Sequence, residues 1–552
     1  MLINRRAFTA GALGTAFAAA TPLRAAAFAA PAMAGALDAI RAYAEDHRRT
    51  FNLPGLTLGL AASGGTNIVF NTGFANPDAR LPISPDTLFQ IGSISKSLTS
   101  ALIHQLAAEG RLRLTDPMST LMPELPLPRG NGISVQHLLD HVSGLPDDAP
   151  MFVEGGLWLG YRPGEHWSYS NTGYGILGKL AEHVAGKPLN RLLEERIFRS
   201  LGMTRSRGAI VGPDRARFAQ GYEAADMTGT YARGAPLAPA GWVDVTDGAG
   251  SIASTASDMI LYMRSLADAA QGRGGFGLGP VAGRAFTTHF VATDSPAMRY
   301  GNGLMQISDE GRSYLHHTGG MVSFSSAFHV DPVSGFGAFA SSSLSGLLGY
   351  RPRKLSLFAA KALTAAAEGR PLPAPPPLID PIKQPGDFVG RYRSANRNVE
   401  VRGTGELVII AGGKTAPLQP VGANLFVTPH PDFTDYALMF ERTAGRVGAL
   451  SWGPETLLRD GTPGTAPKSD PALARLAGRY VNDSPWLQTL RIVERGGKLW
   501  AGTDAELHPL GPNRFRLGND AWSPERVGFA NFFDGRPQTL IFSGEKFLRH
   551  DN

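Results

Sequence analysis

The 552-residue sequence has no cysteine. That excludes disulfides, thiolate metal sites and cysteine nucleophiles together, and it removes redox state as a guide to compartment. Long apolar runs are missing as well: beyond the N-terminus nothing approaches the ~20 apolar residues of a membrane span. One-sided charge is scarce. The formal net charge is +6 with 18% charged residues, and the basic residues are scattered rather than interleaved with aromatics, so no nucleic-acid partner is expected. A G-x-S-x-G nucleophile elbow, a phosphate loop, H-E-x-x-H and a strand-linked G-x-G-x-x-G are all absent.

What is present fits an ordinary globular chain of three or four domains, since 43% of residues are hydrophobic and the length exceeds one core. The start, Met1-Leu2-Ile3-Asn4-Arg5-Arg6-Ala7-Phe8, places two arginines before a weakly apolar stretch ending in small residues. This is the pattern of a cleavable export signal over residues 1–34, and the arginine pair resembles a twin-arginine signal. A periplasmic or secreted protein, with no stable membrane insertion after signal removal, is the expectation.

From about 35 to 369 the pattern is mixed α/β. Gly55 to Leu60 and Asn67 to Phe70 read as strands around a Ser63-Gly64-Gly65 turn. Helices are predicted over Ser97 to Glu109, Tyr174 to Ala185 with Gly186 as a stop, Ala256 to Ala267, and Lys354 to Ala367. Ser323 to Val330 and Gly337 to Ala340 read as strands. Strands at both ends with helices between predict an antiparallel sheet flanked by helices. Residues 370–385 are proline-rich and predict an extended, semi-rigid linker. Two all-β segments follow, 386–462 and 471–552, and they repeat at an offset of roughly 90 residues. Gly390-Arg391-Tyr392 recurs as Gly478-Arg479-Tyr480, and Leu458-Arg459-Asp460 has its counterpart in Leu548-Arg549-His550-Asp551. Two small lipocalin-like β-barrels are the simplest account.

Three elements carry chemistry. Ser93-Ile94-Ser95-Lys96 puts a serine and a lysine one helical turn apart, on one face. Free N–H groups at the helix start favour negative charge there, and an enclosed lysine that loses its proton can take one from serine. The tetrad alone is weak, since chance supplies about two in a chain this long. Ser543-Gly544-Glu545-Lys546 is such a decoy, inside a β repeat with no helix after it. Tyr169-Ser170-Asn171 offers a phenol that relays protons if an ammonium stabilises its phenolate, and an amide that holds a carbonyl and the lysine. Tyr300-Gly301-Asn302 and Tyr480-Val481-Asn482 share that spacing and read as structural. His317-Thr318-Gly319-Gly320 occurs once. Its glycines allow close approach of a strand and a free N–H for an oxyanion.

The three elements in order resemble the serine β-lactamase-related family, which includes class C β-lactamases, D,D-carboxypeptidases, certain esterases and D-aminopeptidases. Leu138-Leu139-Asp140-His141-Val142-Ser143-Gly144-Leu145-Pro146 and Leu112-Arg113-Leu114-Thr115-Asp116-Pro117 also resemble family segments. The resemblance implies that Ser93 attacks, Lys96 accepts its proton, Tyr169 shuttles protons to the leaving group and Asn171 orients substrate. It implies further that His317 lines the opposite wall, and that the backbone around Gly319 and Gly320, with Ser93, holds the oxyanion. No cofactor and no metal are implied. True β-lactamases have lysine where His317 stands, and two C-terminal barrels are similar to the layout of D-aminopeptidase. A small peptide, amide or ester is therefore the expected substrate, with peptidase or aminopeptidase chemistry ahead of β-lactamase or esterase. A non-catalytic penicillin- or cell-wall-binding receptor is the reading of another class. Oligomeric state is left open.

Four histidine and carboxylate readings are bland. His137 and His141, four apart, lack a third metal ligand. His316 points away from His317 on an extended strand. Glu165 follows Pro163-Gly164 and belongs to a turn.

Overall fold

The computed structural model describes residues 30–62, 67–128, 130, 132–344, 350–463 and 468–550. Most of the expected leader, and the Ser63-Gly64-Gly65 turn, lie outside the described residues. Residues 30–34, expected at the end of that leader, lie in the first turns of the helix Ala30–Thr50.

The centre is a nine-stranded antiparallel sheet. In chain order its strands are β1 (Gly55–Ala61), β2 (Asn67–Asn76), β3 (Leu81–Pro82), β4 (Val291–Ala292), β5 (Met298–Gly301), β6 (Leu304–Asp309), β7 (Arg312–Gly320), β8 (Ser325–Val330) and β9 (Gly337–Ser342). Their spatial order is β3-β2-β1-β9-β8-β7-β6-β5-β4. The N- and C-terminal strands of the domain thus meet at its middle, where Leu58 pairs with Ala340.

Side chains alternate across the pleat, so the central strands feed two cores. Leu56, Leu58, Leu60, Ala338 and Ala340 pack with the helices Ala30–Thr50 and Arg353–Ala367. Leu315, Phe328, Val330 and Phe339 pack on the other face, with the helices Ser95–Ala108, Asn171–Ala185 and Ala256–Ala270. Each buried Leu or Phe contributes about 1.5–3 kcal/mol over exposure. A sheet covered on both faces explains why β1 is buried along its whole length, with Leu56, Leu58 and Leu60 on one face and the small Thr57 and Gly59 on the other.

The proline-rich segment has neither helix nor strand over most of its length. It is tied to the domain: Tyr43 Oη donates to the Pro376 carbonyl at 2.9 Å and Lys354 Nζ to that of Pro377 at 2.7 Å. Two closed eight-stranded barrels follow, over Gly390–Arg459 and Gly478–Arg549. They close on equivalent pairs, Tyr392 with Arg459 and Tyr480 with Arg549. Both tyrosines donate to the carbonyl four residues back, at 2.7 Å. Tyr480 is therefore a structural tyrosine of the repeat.

Candidate active site

Ser93 sits in a one-turn 3-10 helix, Gly92–Ile94, that runs into the helix Ser95–Ala108. Gly92 has φ +54°, and a Cβ there would lie 2.7 Å from the Gly320 nitrogen and 2.8 Å from its oxygen. A Cβ on Gly319 would stand 1.8 Å from the Ile91 carbonyl. Only glycines allow this approach. They bring the end of β7, with Gly320, against the turn that carries the serine.

One helical turn after Ser93, Lys96 is fully buried, with 0% exposure. Its Nζ donates to Ser93 Oγ at 3.1 Å, Asn171 Oδ1 at 2.5 Å and the Ala249 carbonyl at 3.0 Å. Asp247 sets that carbonyl by accepting the N–H groups of Ala249 and Gly250 at 2.7 and 2.6 Å. Burial lowers the Lys96 pKa to about 8, against the opposing pull of Asp247, Asp147 and Asp148. Three acceptors suit the ammonium. The neutral amine needs only two and turns its lone pair to the serine hydroxyl.

The Tyr169 hydroxyl faces Ser93, whose hydroxyl favours its charged form, and Lys96 Nζ lies 4.9 Å from its ring centre. Burial holds its pKa well above the usual phenol value. Burial therefore favours the neutral phenol in the resting site. His141 fixes the ring, with centroids 4.2 Å apart, and its Nδ1 accepts the Ser170 N–H at 3.1 Å. Ser170 caps the helix Asn171–Ala185 through Gly173 N–H, which places Asn171 at the first turn beside the lysine.

His317 is 1% exposed. Its Nδ1 lies 2.6 Å from the Thr318 carbonyl, which can only accept, so Nδ1 carries the proton. Nε2 then accepts from Tyr300 Oη at 3.3 Å. Burial, with Lys96 nearby, lowers its pKa to about 3. Both ring nitrogens are thus engaged, and the buried imidazole is neutral. Tyr300, read as structural, belongs to the site through this bond. The shared Tyr-x-Asn spacing was its only sequence signal.

Ser93, Tyr169, Asn171, Thr318 and Gly320 keep partial exposure while Lys96 and His317 do not. The reacting oxygen is open and its base is sealed. Asp148 stands exposed at the mouth, its Oδ2 accepting from Asn171 Nδ2 at 3.3 Å. Asp147 Oδ1 accepts the Asn171 backbone N–H at 3.2 Å. Burial and then the Asp148 charge raise the Asp147 pKa to about 7. Arg351 lies across β7 on the Gly320 Cα, donating to Ser325 Oγ at 3.3 Å and the Tyr350 carbonyl at 2.9 Å. Sequence reasoning found none of Asp147, Asp148, Asp247 or Arg351. The two adjacent aspartates directly after Pro146 were the available signal.

The remaining sequence candidates fall outside this group. His316 stacks on His329 at 4.5 Å, on the other side of β7. His137 caps its own short helix, and Glu165 accepts the Arg162 N–H in a turn. No metal-binding cluster of His, Asp or Glu occurs among the described residues, and no described helix is long and apolar enough to cross a membrane.

The sequence profile of the Beta-lactamase family matches residues 40–359. The chain belongs to that family. A Beta-lactamase of Pseudomonas fluorescens is 32% identical over 222 residues, covering 38% of this chain and 59% of the relative. Penicillin-binding protein 4* of Bacillus subtilis is 29% identical over 233 residues, covering 38% and 51%. The chain thus spans about half the length of these curated relatives. Among solved structures, the octameric penicillin-binding protein homologue of Pyrococcus abyssi aligns with TM-score 0.55 at 22% identity, over 77% of this chain and 100% of that one. The D-amino acid amidase of Ochrobactrum anthropi SV3 complexed with L-phenylalanine amide aligns with TM-score 0.50 at 23% identity, over 61% and 99%. These two likenesses concern the fold. The Beta-lactamase match begins inside the first helix and ends inside the last helix of the sheet domain, before the barrels.

Proposed function

We propose that this protein is an exported serine hydrolase that cleaves peptide or amide bonds through an acyl-enzyme on Ser93, with a preference for aminoacyl substrates. The observation that carries the reading is the sealed lysine 3.1 Å from an accessible serine hydroxyl. With a pKa of about 8, roughly a tenth of Lys96 is neutral at pH 7, which is ample for a general base.

The neutral amine takes the Ser93 proton as Oγ attacks the scissile carbonyl. The carbonyl oxygen becomes anionic between the N–H groups of Ser93 and Gly320, and losing one such donor costs about 3–4 kcal/mol. The Tyr169 phenol, facing Ser93, passes a proton to the departing nitrogen and recovers one from the lysine. Water then resolves the ester by the same path in reverse.

Two features favour an amine-bearing substrate. The exposed Asp148 carboxylate stands beside Asn171, where an ammonium on the acyl part gains charge-assisted bonds. The neutral, buried His317 offers no cation at the place where the β-lactamases carry lysine. The lead test is a panel of D- and L-aminoacyl amides, short peptides, p-nitrophenyl esters and a chromogenic cephalosporin, run beside Ser93→Ala. Amide or peptide turnover that vanishes in the variant supports the reading. Strong cephalosporin turnover with little peptide cleavage reverses it, and no turnover with no acylation of Ser93 returns the protein to the receptor class.

A further inference from the structure

The second barrel reaches the catalytic domain with two loops from one of its ends. Trp522 stacks on His166 at 4.7 Å, and Trp158 Nε1 donates to the Pro524 carbonyl at 2.7 Å. A Cβ on Gly160 would stand 2.3 Å from the Trp522 carbonyl. At the end of this strap, Glu525 Oε1 accepts the backbone N–H of Asp147 at 2.8 Å. Its other oxygen accepts from Ser543 Oγ at 2.5 Å. Ser543, the serine of the second Ser-x-x-Lys tetrad, thus orients a carboxylate.

The choice of glutamate is electrostatically poor if docking is all that matters. Its pKa is raised by burial and by the Asp148 charge, and it faces Asp147, whose own pKa is raised in part by Glu525. Like charges packed this way disfavour one another. A neutral side chain docks the domains at lower cost, and unfavourable groups retained in a fold concentrate at functional sites. The one backbone group that Glu525 grips belongs to the turn whose next residue bonds Asn171, and Asn171 bonds Lys96.

We propose that Glu525, on the second barrel, is a positioning residue for the active site: it holds the Asp147 N–H and so keeps the Asp147–Asp148 turn, Asn171 and Lys96 in register with Ser93. This rests on the acyl-enzyme reading above. The barrel then completes the catalytic centre rather than decorating it.

The test uses the full chain with Glu525→Ala, Glu525→Gln, Ser543→Ala and Lys546→Ala, reading kcat, KM, the rate at which a fluorophosphonate labels Ser93, and the melting temperature. Lys546 meets exposed Glu154 at 3.9 Å across the same junction and serves as the control. Glu525→Ala is expected to lower kcat and the labelling rate by about 30-fold with little change in KM, as misplacement of a reacting group does. Glu525→Gln, whose amide oxygen still accepts the N–H, recovers most of this, and Lys546→Ala is unchanged. Should the alanine variant unfold, Ser543→Ala gives a smaller loss in kcat at an unchanged melting temperature. Full labelling and turnover in folded Glu525→Ala or Ser543→Ala overturns the proposal, as does an equal loss in Lys546→Ala. If the parent chain itself fails to label at Ser93, the acyl-enzyme reading falls first and this proposal with it.

Discussion

Lys96 Nζ and Asn171 Oδ1 are 2.5 Å apart, across 75 residues of sequence. The contact holds the lysine beside Ser93 without supplying a negative charge. A neutral amide is what the site needs there, because a carboxylate would hold the proton on the lysine.

The first prediction is the pH dependence of kcat/KM. The Lys96 pKa is lowered to about 8, and the reactive form is the neutral amine. Activity therefore rises about tenfold per pH unit below 8 and levels above it. A profile of kcat/KM from pH 5 to 10 on the best amide substrate checks this; a flat profile across pH 6–9 contradicts it.

Asn171→Asp converts the amide into a carboxylate on the same atom position. The charge stabilises the ammonium, so the rising limb moves upward by a unit or more and activity at pH 7 falls at least about tenfold. The same profile, measured on the variant, reads both effects. An unshifted limb would show that Asn171 does not govern the lysine.

Tyr169→Phe removes the hydroxyl facing Ser93 and keeps the ring against His141. A proton relay of this kind is worth about 10²–10⁴ in rate, so kcat falls within that range while KM changes little. Steady-state kinetics with an amide, whose leaving nitrogen needs the proton, and with a p-nitrophenyl ester, whose leaving group does not, separate the roles. The ester is expected to suffer less.

Gly92→Ala places a Cβ 2.7 Å from the Gly320 nitrogen at a φ of +54°. Strain at such a position costs about 1–3 kcal/mol, and the displaced Gly320 loses its aim at the oxyanion. Thermal melting is expected to show a stability loss of that size, with a kcat loss of tenfold or more. A native melt with full activity would place the oxyanion donor elsewhere.

The sheet domain was readable because its signals are local. Gly186 does end the helix over Asn171–Ala185, in the left-handed conformation at φ +68°, and the repeated Gly-Arg-Tyr marks the closing strands of both barrels. Ser93 and Lys96 were legible because an i,i+3 pair is a property of one helix. Asp247 and Ala249, on one loop, and Tyr300, on β5, were not: they reach the site through contacts that no spacing encodes. His317 was legible as a member of the site but not in its protonation, since the bond to Tyr300 and the depth of burial fix that only in three dimensions. Ser543-Gly544-Glu545-Lys546 shows the opposite case, a matching tetrad whose serine serves a carboxylate instead of a lysine.

The most direct measurement is intact-mass and peptide-mapping analysis of the folded chain after treatment with a fluorophosphonate at several pH values. The account predicts one adduct, on Ser93, forming faster as the pH rises to 8 and absent from Ser93→Ala. A folded chain that takes no adduct, or takes it on another serine, contradicts it.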